Sequence, residues 1–168
     1  MGIKFFRKRD QTKFTLLGAV TGIIAQHQHN GRYTVEWIKA WVVNAIEHQQ
    51  IYIHFRHGLP AGFITWASLR EDTLARLIFS DYVLHWSEWT EGTFVWLIDF
   101  CLLETLPQPQ IIELLCSVFA DRQVVYWRSS LPDSDTIYRL HIAQHRLATI
   151  NATRFVEILG KSSPTEGP

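Results

Sequence analysis

Cysteine is scarce in this 168-residue chain: Cys101 and Cys116 are the two present, and neither sits in a CxxC pair. Their spacing provides neither a disulfide framework nor a thiolate zinc site, and it favours a reducing, cytoplasmic setting. Net charge is missing too, because 16 Lys+Arg balance 16 Asp+Glu. Without an overall positive field to gather phosphates, a basic nucleic-acid binder is disfavoured. Charged residues amount to only 19% against 47% hydrophobic, which argues against disorder and for one packed domain. No apolar run reaches the roughly 20 residues that cross a bilayer. Residues 14–25, preceded by Lys4, Arg7, Lys8 and Arg9, copy the outline of a signal peptide. However, Thr15, Gly18, Thr21 and Gly22 dilute the run, and Ile23 stands where a small residue is wanted. The expectation is a first helix packed on the domain behind a mobile basic leader, residues 1–13. A GxSxG elbow, a P-loop and a GxGxxG turn are all absent, which speaks against a serine hydrolase, a phosphate cradle and a dinucleotide site.

What the chain has in excess is aromatic: 7 Trp, 5 Tyr and 10 Phe. Such bulk fills a core, lines a cleft or covers a surface that something else masks. Residues 34–50 carry Val35, Ile38, Val42, Ala45 and Ile46 at helical spacing, with Thr34 as the cap. Residues 51–57 and 61–67 read as strands joined at Gly58-Leu59-Pro60 into a hairpin. Ser68-x-x-Glu71 predicts a capping box for a short helix. Residues 94–103 form an apolar run broken by Asp99, as a central strand covered on both faces would. Residues 111–119 predict a helix, 123–128 and 136–142 two strands, and 151–159 a last helix capped by Asn151 and stopped by Gly160. The order predicts a mixed, mostly antiparallel sheet with helices packed on it, one domain over residues 1–160, and a disordered tail, 161–168.

Two places could carry chemistry. Asp99 puts a carboxylate inside an apolar strand, which is costly unless it is hydrogen-bonded or used. A buried structural bond and a catalytic or ligand-binding role both fit. The cluster His27-Gln28-His29-Asn30 follows the first helix. It admits loop histidines, a general base or, less readily for want of a third ligand, a metal site.

Three segments taken together are familiar. They are the run from Leu59-Pro60 through Trp66-Ala67-Ser68-Leu69, then Trp89-Thr90-Glu91-Gly92, then Trp96-Leu97-Ile98-Asp99. In that order and spacing the chain resembles the RTX toxin-activating lysine acyltransferases, over residues 16–120 and more weakly beyond. The resemblance implies an α+β fold with an N-acetyltransferase (GNAT)-like, mostly antiparallel sheet flanked by helices. It implies a cytoplasmic, often dimeric enzyme that takes a fatty acyl chain from acyl carrier protein, with no bound cofactor or metal, and places it on internal lysines of an RTX protoxin. It also implies a catalytic pair: Asp99 and a histidine after the first helix.

The family's Ser-x-x-His-Arg setting is absent, and Asn30 occupies that histidine's register, so His29, one residue earlier, is taken as the base. Cys101-Leu102-Leu103-Glu104-Thr105 replaces the family's usual segment after the aspartate. Both departures motivate a second reading, a non-catalytic relative that binds acyl carrier protein or a toxin-like partner. An acetyl-coenzyme A enzyme is disfavoured because its pyrophosphate loop is missing. For the acyl chain, Trp66, Trp89 and Trp96 are the candidate walls, with Trp37 and Trp41 as further candidates and plain core packing as the alternative. For an acidic carrier, Arg7, Lys8, Arg9, Lys13, Arg32 and Lys39 are the candidate cations.

Overall fold

A computed structural model of the chain describes residues 8–27, 33–131 and 134–162. Helix α1 (Lys8–Gln26) comes first, then α2 (Val35–Trp37), six π-helical residues (Ile38–Val43) and α3 (Asn44–Glu47). Strands β1 (Ile51–Arg56) and β2 (Leu59–Leu69) follow, then α4 (Glu71–Phe79), a 3-10 turn (Trp86–Thr90) and β3 (Phe94–Leu102). The chain continues with α5 (Gln108–Val118), β4 (Val124–Arg128), β5 (Thr136–His141), β6 (Arg146–Asn151) and α6 (Ala152–Ser162). The strands pair in the order β1-β2-β3-β4-β5-β6, a six-stranded open sheet. The pairs β1/β2, β4/β5 and β5/β6 are antiparallel, and β3/β4 is parallel. The expected α+β class, with a mixed, mostly antiparallel GNAT-like sheet and flanking helices, is the one observed.

The backbone divides into two compact units, Met1–Trp66 with Ile98–Thr105, and Ala67–Leu97 with Leu106–Pro168. In the first, α1 and the following helix cover one face of the strands. Val20, Ile23 and Ile24 of α1 meet Val42, Ile46, Ile53, Phe63 and Cys101 in one buried cluster, and Trp37 packs against it. Those α1 residues recur every three or four positions, the spacing of one helical face. Thr34 caps as expected, its Oγ1 accepting the Trp37 N–H at 3.1 Å. The hairpin turn falls one step earlier than the sequence suggested, on His57 (φ 50°) and Gly58 (φ 79°), leaving Leu59 and Pro60 in β2. Two consecutive left-handed residues make the tight turn whose twist matches the strands, and glycine takes the second without penalty.

In the second unit β4, β5 and β6 form an antiparallel meander. Tyr126 of β4 and Phe155 of α6 meet with ring centroids 5.1 Å apart. Leu74, Ile78, Trp89, Leu115, Phe119, Val125, Ile137 and Leu140 are buried.

Three sequence readings are corrected here. Ser68 does not cap α4: it lies in β2, its carbonyl accepts the Gly92 N–H at 2.9 Å, and Arg70 stands at the N-cap position without a side-chain bond. The capping box belongs instead to His85 and Glu88 at the 3-10 turn. Strand β6 was not anticipated, because its alternation is blurred by Ala148 and Thr149 and its pairing to β5 is decided across space. Gly160 does not stop α6, which reaches Ser162, although Asn151 caps it as expected through Oδ1 and the Thr153 N–H at 2.9 Å. Residues 1–7 of the basic leader and 163–168 of the tail lie outside the described residues.

Candidate functional site

Asp99 sits in β3 and is buried, 6% exposed. Its Oδ1 accepts the Phe100 backbone N–H at 2.8 Å, which ties the carboxylate to its own strand. Side chains alternate along a strand, so Asp99 lies on the same face as Cys101, the face on which α1 and α3 residues pack. In β2 the same period places Trp66 on the face opposite Phe63; Trp66 is half-buried, and its N–H donates to the Gln50 carbonyl at 3.1 Å. The first unit therefore holds Asp99 on the helix-covered face and Trp66 on the other.

The histidine segment is described only in part. His29, Asn30 and Arg32 lie outside the described residues. His27, just past α1, is half-buried; its N–H donates to the Ile23 and Ile24 carbonyls at 3.1 Å, and its ring meets Tyr33 edge-on with centroids 6.1 Å apart. Tyr33 in turn packs edge-on against Trp37 at 4.7 Å. A run of ring contacts thus links His27, Tyr33 and Trp37.

Trp89 and Trp96 belong to the second unit. Trp89 is fully buried in the 3-10 turn, and Trp96 of β3 is 5% exposed, paired with Tyr126 of β4. Among the candidate carrier-docking cations, Lys13 is engaged with Glu47 at 2.5 Å. Arg7 lies outside the described residues.

Sequence reasoning missed a second buried carboxylate, Glu88. It accepts from Arg76 Nη2 at 2.9 Å, from the Tyr82 hydroxyl at 2.7 and 2.8 Å, and from the His85 N–H at 2.7 Å. Burial pushes this carboxyl up, but the bonds from Tyr82, His85 and Arg76 outweigh it and hold the group below its ordinary value. The available signal was the x-x-Glu spacing after His85, hidden because histidine is an uncommon cap. Also missed was a cationic cluster on β5 and β6, Arg139, His141 and Arg146, which becomes visible only once the strands are in register.

Among the described residues no group of three His, Cys, Asp or Glu side chains could hold a metal, and no helix is long and apolar enough to cross a membrane. Cys101 and Cys116 are both buried thiols outside any disulfide, and burial pushes the Cys116 thiol up, away from the reactive thiolate.

Comparison with known proteins adds the lineage. Over 91 residues, 54% of this chain and 54% of the relative, the sequence is 29% identical to the leukotoxin-activating lysine-acyltransferase LktC of Mannheimia haemolytica serotype A1. Over 87 residues, 52% of this chain and 54% of the relative, it is 26% identical to the RTX-II toxin-activating lysine-acyltransferase ApxIIC of Actinobacillus pleuropneumoniae. Over 88 residues, 52% of this chain and 53% of the relative, it is 27% identical to the protein-lysine myristoyltransferase RtxC of Kingella kingae. The chain thus spans about half the length of the curated relatives it matches. A model of the RTX toxin acyltransferase family matches residues 9–144, a stretch that holds the first helix, the histidine segment and Asp99. The chain belongs to the RTX toxin acyltransferase family.

Proposed function

We propose that this protein is a lysine acyltransferase that moves a fatty acyl chain from acyl carrier protein to internal lysines of an RTX-type protoxin, in the cytoplasm. The observation that carries the reading is a buried carboxylate, Asp99, inside the stretch matched to the family. A lysine amine has a pKa of about 10.4 and is almost wholly protonated at neutral pH, so a base must take its proton before it can attack. Histidine is the side chain suited to this, and a carboxylate behind it fixes the tautomer and stabilises the imidazolium. His29 is assigned as that base and Asp99 as its positioning partner. The amine attacks the thioester carbonyl, the C–S bond breaks, and the carrier's thiolate leaves and takes up a proton. Backbone N–H groups beside the strand end are suited to bind the oxyanion that forms on the way. A homodimer is the expected assembly.

The test is to incubate the protein with acyl carrier protein charged with C14 to C16 chains and an RTX protoxin, and to read mass shifts on lysine-containing peptides. Acylated lysines that vanish in His29→Ala and Asp99→Ala support the assignment. Full activity in either variant sinks that residue's role. Carrier binding without acylation by the natural chain favours the non-catalytic reading.

A further inference from the structure

Several cations among the described residues are matched by a carboxylate. Lys13, Arg56, Arg70, Arg76, Arg122 and Arg128 each have a carboxylate partner, in order Glu47, Glu104, Asp72, Glu88, Asp121 and Asp135. Arg139 of β5 and Arg146 of β6 have none among the described residues, and both are exposed. The strand register brings them together. His141 lies directly across from Arg146, and Arg139 across from Ala148. Period two puts Arg139, His141 and Arg146 on one face, with the two arginines as diagonal neighbours, about 7–8 Å apart at their Cα atoms. Arg139 also lies directly across from Tyr126 of β4, whose ring packs against Phe94 at 6.0 Å and Phe155 at 5.1 Å. His141 senses both neighbours: burial first, then Arg139 and Arg146, lower its pKa.

Two like charges held side by side without a counter-charge repel each other, and an anionic partner relieves that repulsion. In a chain of zero net charge such a patch steers locally what the whole molecule does not attract. We infer that the face bearing Arg139, His141 and Arg146 is the surface on which the acidic acyl carrier protein docks. The identity of the partner rests on the proposed acyl transfer; the surface itself rests on the register and the unmatched charges.

The experiment measures the Kd of palmitoyl-loaded acyl carrier protein for the full chain at several salt concentrations. For Arg139→Glu/Arg146→Glu, Kd is expected to rise about tenfold or more, and the slope of log Kd against log salt to flatten. The milder Arg139→Gln/Arg146→Gln, checked for native circular dichroism, should shift Kd in the same direction. A control with the same charge change elsewhere, Arg70→Glu/Arg122→Glu, should leave Kd within about twofold. The docking surface is overturned if the natural chain does not bind the carrier, if the arginine variants bind it as well as the natural chain does, or if the control loses as much. It is overturned equally if duplex DNA or an unrelated acidic protein competes as well as the carrier. Lysine acylation is read separately in the same preparations. Carrier binding that depends on Arg139 and Arg146 without acylation removes the proposed activity and keeps the surface; acylation with unchanged Kd does the reverse.

Discussion

Two buried carboxylates, one in each unit, show how differently this fold treats the same chemical group. Glu88 is 9% exposed and is surrounded by donors from its own segment: Arg76 at the end of α4, Tyr82 in the loop, and the His85 backbone. Each bond fastens α4, the loop and the 3-10 turn to one another, so the charge acts as a structural bolt. Asp99 is 6% exposed, and its Oδ1 accepts the Phe100 N–H of its own strand. It shares a face with Cys101, which packs with Ile53, Phe63 and residues of α1. A carboxylate that fastens several elements serves stability. One that interrupts an apolar strand run is a candidate for chemistry.

Substitutions that treat the two alike sharpen this contrast or break it. The largest effect is expected for Asp99→Asn, which keeps the shape and removes the charge. Acyl transfer should fall by about 100-fold or more while the circular dichroism spectrum stays native. A loss of folding with no specific loss of rate would place Asp99 alongside Glu88 as a structural group. Next comes Gly92→Ala, in the segment that Glu88 anchors. A Cβ there would collide with the Leu69 carbonyl and the Arg70 amide, backbone atoms that cannot swing aside. Urea titration should show a loss of about 3 kcal/mol.

Glu88→Ala follows, with an expected loss of about 2 kcal/mol, at the lower part of the range for bonds to a charged group because Arg76 and Tyr82 can turn to water. Residual acyl transfer per folded molecule should stay within about threefold of the natural chain, since the change lies outside the proposed catalytic pair. The smallest effect is in acid. The folded state holds the pKa values of both His141 and Glu88 below their ordinary values of 6.5 and 4.5. In each window the unfolded chain binds more protons than the folded one, so stability is present above the ordinary value and is lost as pH falls through it. Melting temperature should decline first below about pH 6.5, then more steeply in the carboxylate range. His141→Ala should remove the first limb and Glu88→Ala should flatten the second.

The difference in legibility between the two carboxylates has a physical basis. Asp99 could be found in the sequence because a charge interrupting a run such as Phe94-Val95-Trp96-Leu97-Ile98 is conspicuous when burial is read from composition alone. Glu88 could not, because its segment mixes Trp86 and Trp89 with Ser87 and Thr90 without a clear apolar run, and its partners Arg76 and Tyr82 reach it only in the fold. Helix α1, the hairpin and the cap of α6 were legible for the same kind of reason: each is fixed by period, turn chemistry or a cap within a few residues. Strand β6 and the extension of α6 past Gly160 were not, because a weak strand is held by its partner and a glycine is tolerated where helix packing outweighs its propensity.

What the sequence determined alone is therefore local and compositional: the α+β class, the hairpin, the helical faces, and the ordered motifs that lead to the acyltransferase family. The tertiary structure decided which charges are matched. It gave Lys13 to Glu47 and Arg76 to Glu88, and it left Arg139 and Arg146 side by side with no counter-charge among the described residues. Pairing energies depend on distance through space. Seven positions separate Arg139 from Arg146 along the chain, and only the β5–β6 register makes them neighbours.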